Sequence, residues 1–200
     1  MSHSPSEFGP LTYIPRCYGY SEKGSVLEVY EPHSELPQIL IMGAIHGDES
    51  LSTVLLSECL RSIQDHELKS SVILAANPDG VVAGTRCNSR GVDLNRNYPT
   101  DNWSPDPVYY RNRPGTPQNI ALSPGDVPGS ESETKALIKL ILEIKPSLIV
   151  SIHGFLGCMD DPDASSIAKD IAQRSGLELV PDVGYATPGS FGSWCKEQAI

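Results

Sequence analysis

"QILIMGAIHGDESLSTVLLSECLRSI", residues 38–63, is the stretch on which the fold turns. Its opening, QILIMGAI at 38–45, is a nearly continuous apolar run, the pattern of a strand buried on both faces of a parallel sheet. From Glu49 onward Leu51, Val54, Leu55 and Ile63 recur at helical spacing, so the stretch reads strand, loop, helix. His46 and Glu49 stand three residues apart at the junction. Open α/β sheets place their ligand sites there, beyond the carboxyl ends of the strands.

The same alternation continues outward. SVLEVY at 25–30 has the period of an early strand, SVILAANPDG at 71–80 is a short apolar run closed by a turn tetrad, and PSLIVSIHG at 146–154 is a third run. The last follows SESETKALIKLILEIK, an amphipathic helical segment. The pattern predicts an α/β fold, a mixed, mostly parallel sheet with helices on both faces. Residues 99–129, rich in Pro, Asn, Asp and Gly, predict a long excursion over the surface. A helix from after Asp163 to about Ser175, a short strand at Leu177–Val180 and a helix start in GSFGSWCKEQ complete the chain. With no repeat and no linker, residues 1–200 read as a single domain.

Twenty-five acids against fifteen bases give a formal charge of −10, a field that repels nucleic acid and anionic membrane surfaces. No stretch has the length of a membrane span, and MSHSPSEFGPLTYIP lacks the basic start and apolar core of a secretory leader. Five cysteines, an odd number without a C-x-x-C pair, argue against a disulfide framework and against a cysteine zinc cage. The expectation is a cytoplasmic protein that acts on a small molecule or peptide.

His153 follows the apolar run ending at Ile152 as His46 follows the one ending at Ile45. If the two strands are parallel, both imidazoles converge with Glu49, and two histidines with one glutamate are a catalytic zinc set that keeps a fourth position for water. The plainer alternative is a pair of hydrogen-bonded loop histidines and a glutamate favoured by a helix N-terminus. A second motif is GTRCNSRGVDLNRNYP at 84–99. Its arginines suit a substrate carboxylate, because a guanidinium binds one through two parallel hydrogen bonds. The alternative there is a solvated polar loop.

Taken in order, GAIHGDES, GTRCNSRGVDLNRNYP, SIHG and GYATPGSFGSW resemble the zinc carboxypeptidase family, of the carboxypeptidase A type, over residues 39–200. The resemblance implies that His46, Glu49 and His153 bind one Zn2+ per chain. It implies that Arg86 polarises the scissile carbonyl and steadies its oxyanion, that Asn95 and Arg96 grip the substrate's terminal carboxylate, and that Tyr185 closes over the substrate. Within the family it points to hydrolysis of the amide joining the γ-carboxyl of D-glutamate to meso-diaminopimelate in murein peptides, as in cell-wall peptide recycling. Arg111, Arg113, Asp160 and Asp161 would then supply the two signs of charge that diaminopimelate requires. The family's glutamate base lies on a strand after the helix that here begins near Ser193. The expectation is therefore a chain that stops short of that strand, with Glu197 a helix residue rather than the base.

Two other functions share these motifs. One is an N-acyl amino acid deacylase of the aspartoacylase or succinylglutamate desuccinylase type. The other is a protein that binds zinc or a peptide carboxylate without cutting. No serine has glycines two residues before and after it, and no phosphate-cradling G-x-x-x-x-G-K-[ST] stretch occurs.

Overall fold

The computed structural model describes residues 9–32, 39–63, 67–112, 118–154 and 156–200, with the backbone alone described at 110–112 and 118–119. It resolves into two compact units, Met1–His153 with Pro188–Ile200, and Gly154–Thr187.

In the first unit the opening stretch forms strand β3 (Ile39–Gly43) and helix α1 (Leu51–Ser62), preceded by an antiparallel pair, β1 (Arg16–Tyr20) and β2 (Val26–Val29). β3 is the centre of a parallel sheet in the order β4-β3-β7, where β4 is Ser71–Ile73 and β7 is Leu148–Ile152. An antiparallel bridge from Tyr30 to Val72 links the β2 segment to β4, which makes the arrangement mixed. β3 alternates as a two-sided strand should. Leu40 and Met42, fully buried, pack with Leu137, Leu140 and Ile141 of helix α3 (Ser132–Ile144) and with Phe191 and Trp194 of helix α5 (Phe191–Glu197). Ile41 packs in a second cluster with Leu56 and Leu60 of α1. Each fully buried aliphatic side chain of this kind contributes about 1.5–3 kcal/mol.

Two segments depart from the sequence reading. The tetrad Asn77–Gly80 opens helix α2 (Pro78–Ala83) instead of closing a strand, because the Asn77 side chain accepts the N–H of Gly80 and Pro78 occupies a first-turn position where a missing N–H costs nothing. The excursion over 99–129 contains a hairpin, β5 (Val108–Asn112) with β6 (Gln118–Leu122). Of its described apolar side chains Tyr109 and Ile120 are exposed and Leu122 is buried, so the hairpin shows no continuous apolar run of the kind that marks β3.

The second unit pairs β8 (Cys158–Asp160) with β9 (Glu178–Val180) in parallel around helix α4 (Ser166–Ser175). Ser165 caps α4 through the N–H of Ala168, and Gly176 ends it in the left-handed region. Among the described residues, no helix is long and apolar enough to cross a membrane.

Candidate metal centre and anion-binding site

At the end of β3 the backbone turns sharply, with Ala44 at φ 50°. A non-glycine residue holds that conformation only where its surroundings impose it. Here the Ser52 hydroxyl accepts the N–H of Ala44 and donates to the carbonyl of Glu49, while the N–H of Asn77 donates to the carbonyl of Ala44. The turn aims His46 and Glu49 across the end of the sheet. Gly47 permits it, since a Cβ there would lie 2.0 Å from the Gly80 carbonyl carbon.

The register of β3 with β7 pairs Gly43 with Ile152, so His153 emerges beside His46. One ligand atom each from His46, Glu49 and His153 lies within 4.8 Å of the others. His46 Nδ1 is 3.0 Å from Glu49 Oε1, His153 Nδ1 is 3.2 Å from Glu49 Oε2, and the two Nδ1 atoms are 3.3 Å apart. Four lone-pair atoms thus face a common centre, and neutral imidazoles cannot satisfy all of these contacts at once. A single cation can, and the donor set of two imidazole nitrogens and a carboxylate is one that zinc takes. The residues fit the metal.

Electrostatics agree. Burial pushes the Glu49 carboxyl up, but hydrogen bonds from His153 and His46 and their charge outweigh it and hold Glu49 well below the usual carboxylate range. Burial pushes the His46 imidazole down, and the carboxylates of Asp93 and Glu49 more than reverse that. The cage draws positive charge.

Behind it lies Asp93, 1% exposed and not singled out by the sequence reading. Its Oδ2 accepts Arg86 Nε at 2.9 Å, and its Oδ1 accepts the N–H of Asn95 at 3.0 Å and stands 3.4 Å from His46 Nε2. One carboxylate therefore ties the arginine, the anion-reading turn and a cage histidine together. Burial raises the Asp93 carboxyl, and the His46 hydrogen bond with the charges of His46, Arg86 and Arg96 holds it far below its ordinary range. An acid between the apolar Val92 and Leu94 was the available signal, since such a residue is buried only with partners.

Arg86, 13% exposed at its side chain, also approaches Glu49 with Nη1 at 3.6 Å from Oε1. Asn95 and Arg96 belong to the short 3-10 turn Leu94–Arg96. The Asn95 Oδ1 accepts the N–H of Phe191 at 2.8 Å, an assignment that turns the amide's NH2 the other way as a donor. Arg96 is 5% exposed, with Nη1 on the Asn95 carbonyl at 2.6 Å. Gly189, at φ 67°, packs so closely that a Cβ would meet the Arg96 carbonyl oxygen at 2.4 Å.

The family model for zinc carboxypeptidases matches residues 19–159. The chain belongs to the zinc carboxypeptidase family. Among family members it is 44% identical over 182 residues to murein peptide amidase A of Escherichia coli K12, a match covering 90% of this chain and 75% of that protein. It is 42% identical over 197 residues to murein peptide amidase A of Vibrio campbellii, covering 98% of this chain and 79% of the relative. The crystal structure of murein-tripeptide amidase MpaA from Escherichia coli O157 superposes with a TM-score of 0.94 at 40% identity, covering 100% of this chain and 86% of that one. Like other members of the family, the chain is a hydrolase by descent.

The remaining sequence candidates lie at other points of the chain. Tyr185 lies in the second unit and is 57% exposed. Asp161 is committed to the turn before α4, where its Oδ2 accepts the Ser165 hydroxyl and its Oδ1 accepts the N–H of Asp163. Asp160 ends β8, Arg111 lies on β5, and Arg113 is outside the described residues. Glu197 accepts the N–H of Asp101 with Oε1 and so holds a loop.

Proposed function

We propose that this protein is a zinc-dependent amidase that cleaves the γ-D-glutamyl–meso-diaminopimelate bond of murein peptides. The observation that carries the reading is the convergence of His46, Glu49 and His153 beside a motif bearing Arg86, Asn95 and Arg96. Similarity to murein peptide amidases over nearly the whole chain supports the choice of substrate. Bound by those three ligands, zinc supplies a Lewis acid that polarises the scissile carbonyl and acidifies water.

The protein's own groups do the rest. Arg86, held by Asp93, offers positive charge to the oxyanion that develops as the carbonyl is attacked, with its reorganisation already made in the fold. Asn95 and Arg96 fix the substrate's carboxylate through amide and guanidinium donors, setting the scissile bond against the cage. Tyr185 is assigned to closing over the bound peptide. Glu49 is committed to the cage, Asp93 to Arg86 and His46, and Glu197 to Asp101. None of these three is assigned as the carboxylate that carries the proton to the leaving amine. The charge balance and the cysteine pattern favour cytoplasmic action on a peptide, without nucleic-acid or membrane partners.

The test is release of diaminopimelate from L-alanyl-γ-D-glutamyl-diaminopimelate by the full-length protein, with an N-acyl amino acid as the competing substrate. Hydrolysis of the tripeptide, lost with a chelator and restored by zinc, is the expected result. Preferential cleavage of the N-acyl amino acid contradicts the substrate. Stoichiometric zinc with no cleavage of either would make the protein a binder.

A further inference from the structure

The two imidazoles of the cage are held from behind in different ways. His46 turns Nε2 toward the buried carboxylate of Asp93. His153 turns Nε2 toward a neutral group, the hydroxyl of Ser151, at 3.1 Å. Ser151 lies on β7 opposite Met42, two residues before His153, so the pleat directs both side chains to the same side of the chain. Packing holds the two rings unequally as well, since the His46 side chain is 4% exposed and that of His153 is 33% exposed.

An imidazole carries one proton when neutral, and the nitrogen that bears it cannot be a metal ligand. His153 presents Nδ1 to Glu49 and to His46. Its proton therefore belongs on Nε2, where the atom within reach is an oxygen able to accept it. We propose that Ser151 is a positioning residue of the metal centre: its Oγ accepts a hydrogen bond from His153 Nε2 and selects the tautomer and ring orientation that present Nδ1 to the metal. The proposal rests on the zinc reading of the cage. It also sets the two ligands apart. A carboxylate stands behind His46, whereas a hydroxyl behind His153 orients the ring without adding charge. His153, the more exposed ring, depends more on the Ser151 hydroxyl at Nε2.

The test compares zinc affinity, by competition with a chromogenic chelator, in the parent, Ser151→Ala and Ser151→Thr, with thermal unfolding of each metal-free protein alongside. Ser151→Ala is expected to bind zinc about tenfold more weakly with an unchanged metal-free Tm, and Ser151→Thr, which keeps a hydroxyl, to restore affinity. In the zinc form, 15N imidazole spectra should show His153 protonated at Nε2, with faster proton exchange in Ser151→Ala. Unaltered affinity in a folded Ser151→Ala protein, or zinc on Nε2 of His153, overturns the proposal. A lowered metal-free Tm with no recovery in Ser151→Thr also overturns it, because Ser151 would then serve the packing of β7. A parent that binds no zinc defeats the reading of the cage itself, whatever Ser151 does.

Discussion

Among the described residues two clusters bring three potential ligand side chains within 4.8 Å of one another: His46, Glu49 and His153, and Glu22, Glu131 and Glu133. They look alike as constellations and differ in what satisfies them. The glutamates are answered by the protein. Asn88 Nδ2 donates to Glu131 Oε2 and Glu133 Oε2, the Ser130 hydroxyl to Glu131, the N–H of Glu22 to Glu133, and the N–H and hydroxyl of Ser132 to Glu22. Those contacts fasten the start of α3 to the loop before it. In the histidine cage the close contacts run among the three side chains themselves, with the Arg86 guanidinium 3.6 Å from Glu49. The titration directions separate them too: Glu49 is held ionised, while burial leaves Glu133 above its ordinary range despite its hydrogen bonds. One cluster calls for a cation and the other can keep a proton, so proximity of acids alone does not identify a metal site.

Substitutions at the two clusters break that comparison most directly. Glu49→Gln is expected to lose stoichiometric zinc and hydrolysis together. Glu133→Gln should retain both and shift stability by about 1–3 kcal/mol, the cost of disturbing one buried hydrogen-bonded group. Metal analysis and urea unfolding of the pair read this out, and loss of zinc in Glu133→Gln would reverse the assignment.

Asp93 comes next. Asp93→Ala leaves Arg86 and His46 without their buried counter-charge, which should cost about 3–5 kcal/mol of stability. Zinc affinity should fall by about 10–100-fold because the ligand ring of His46 loses the carboxylate behind it. Arg86→Ala should keep its zinc and lose about 10²–10³ in kcat, the scale of removing one oxyanion donor. A change confined to KM would move Arg86 from the reacting carbonyl to substrate binding. Gly189→Ala should act more mildly, through about 1–3 kcal/mol of backbone strain and a displaced Arg96, seen as a raised KM with zinc retained.

The smallest effect concerns pH. Glu49 and Asp93, with depressed folded-state values, contribute stability present above the unfolded carboxyl range near 4 and lost as pH falls below it. Glu133, raised, contributes in the opposite sense: its share is present below the unfolded value and lost as pH rises through the folded one. In the metal-free protein, Asp93→Asn should therefore flatten the acid limb of the stability profile. Glu133→Gln should flatten only the loss on the alkaline side of pH 4.

Much of this was legible in the letters, and for physical reasons. His46 and His153 announce themselves because each follows a mostly apolar run, and parallel pairing of those runs with β3 central brings both to one end of the sheet. α1 and α3 were visible from their apolar period, and α4 was expected from after Asp163 to about Ser175. The supports were harder to see. Asp93 and Ser151 act through other side chains, and nothing in their spacing separates such a role from an ordinary turn acid or strand serine. β1, β8 and the hairpin β5–β6 escaped because short or exposed strands lack a one-sided apolar pattern. The turn reading of Asn77–Gly80 failed for a related reason, since Asn before Pro starts a helix as readily as it ends a strand.

Zinc K-edge X-ray absorption of the protein loaded with one equivalent of zinc, set beside the same measurement on His153→Ala, tests the central claim most directly. The cage reading predicts one tightly held zinc per chain with two imidazole nitrogens and oxygen in its shell, falling to one imidazole in the variant. A shell of oxygens alone, unchanged in His153→Ala, would place the metal among the glutamates and contradict the account.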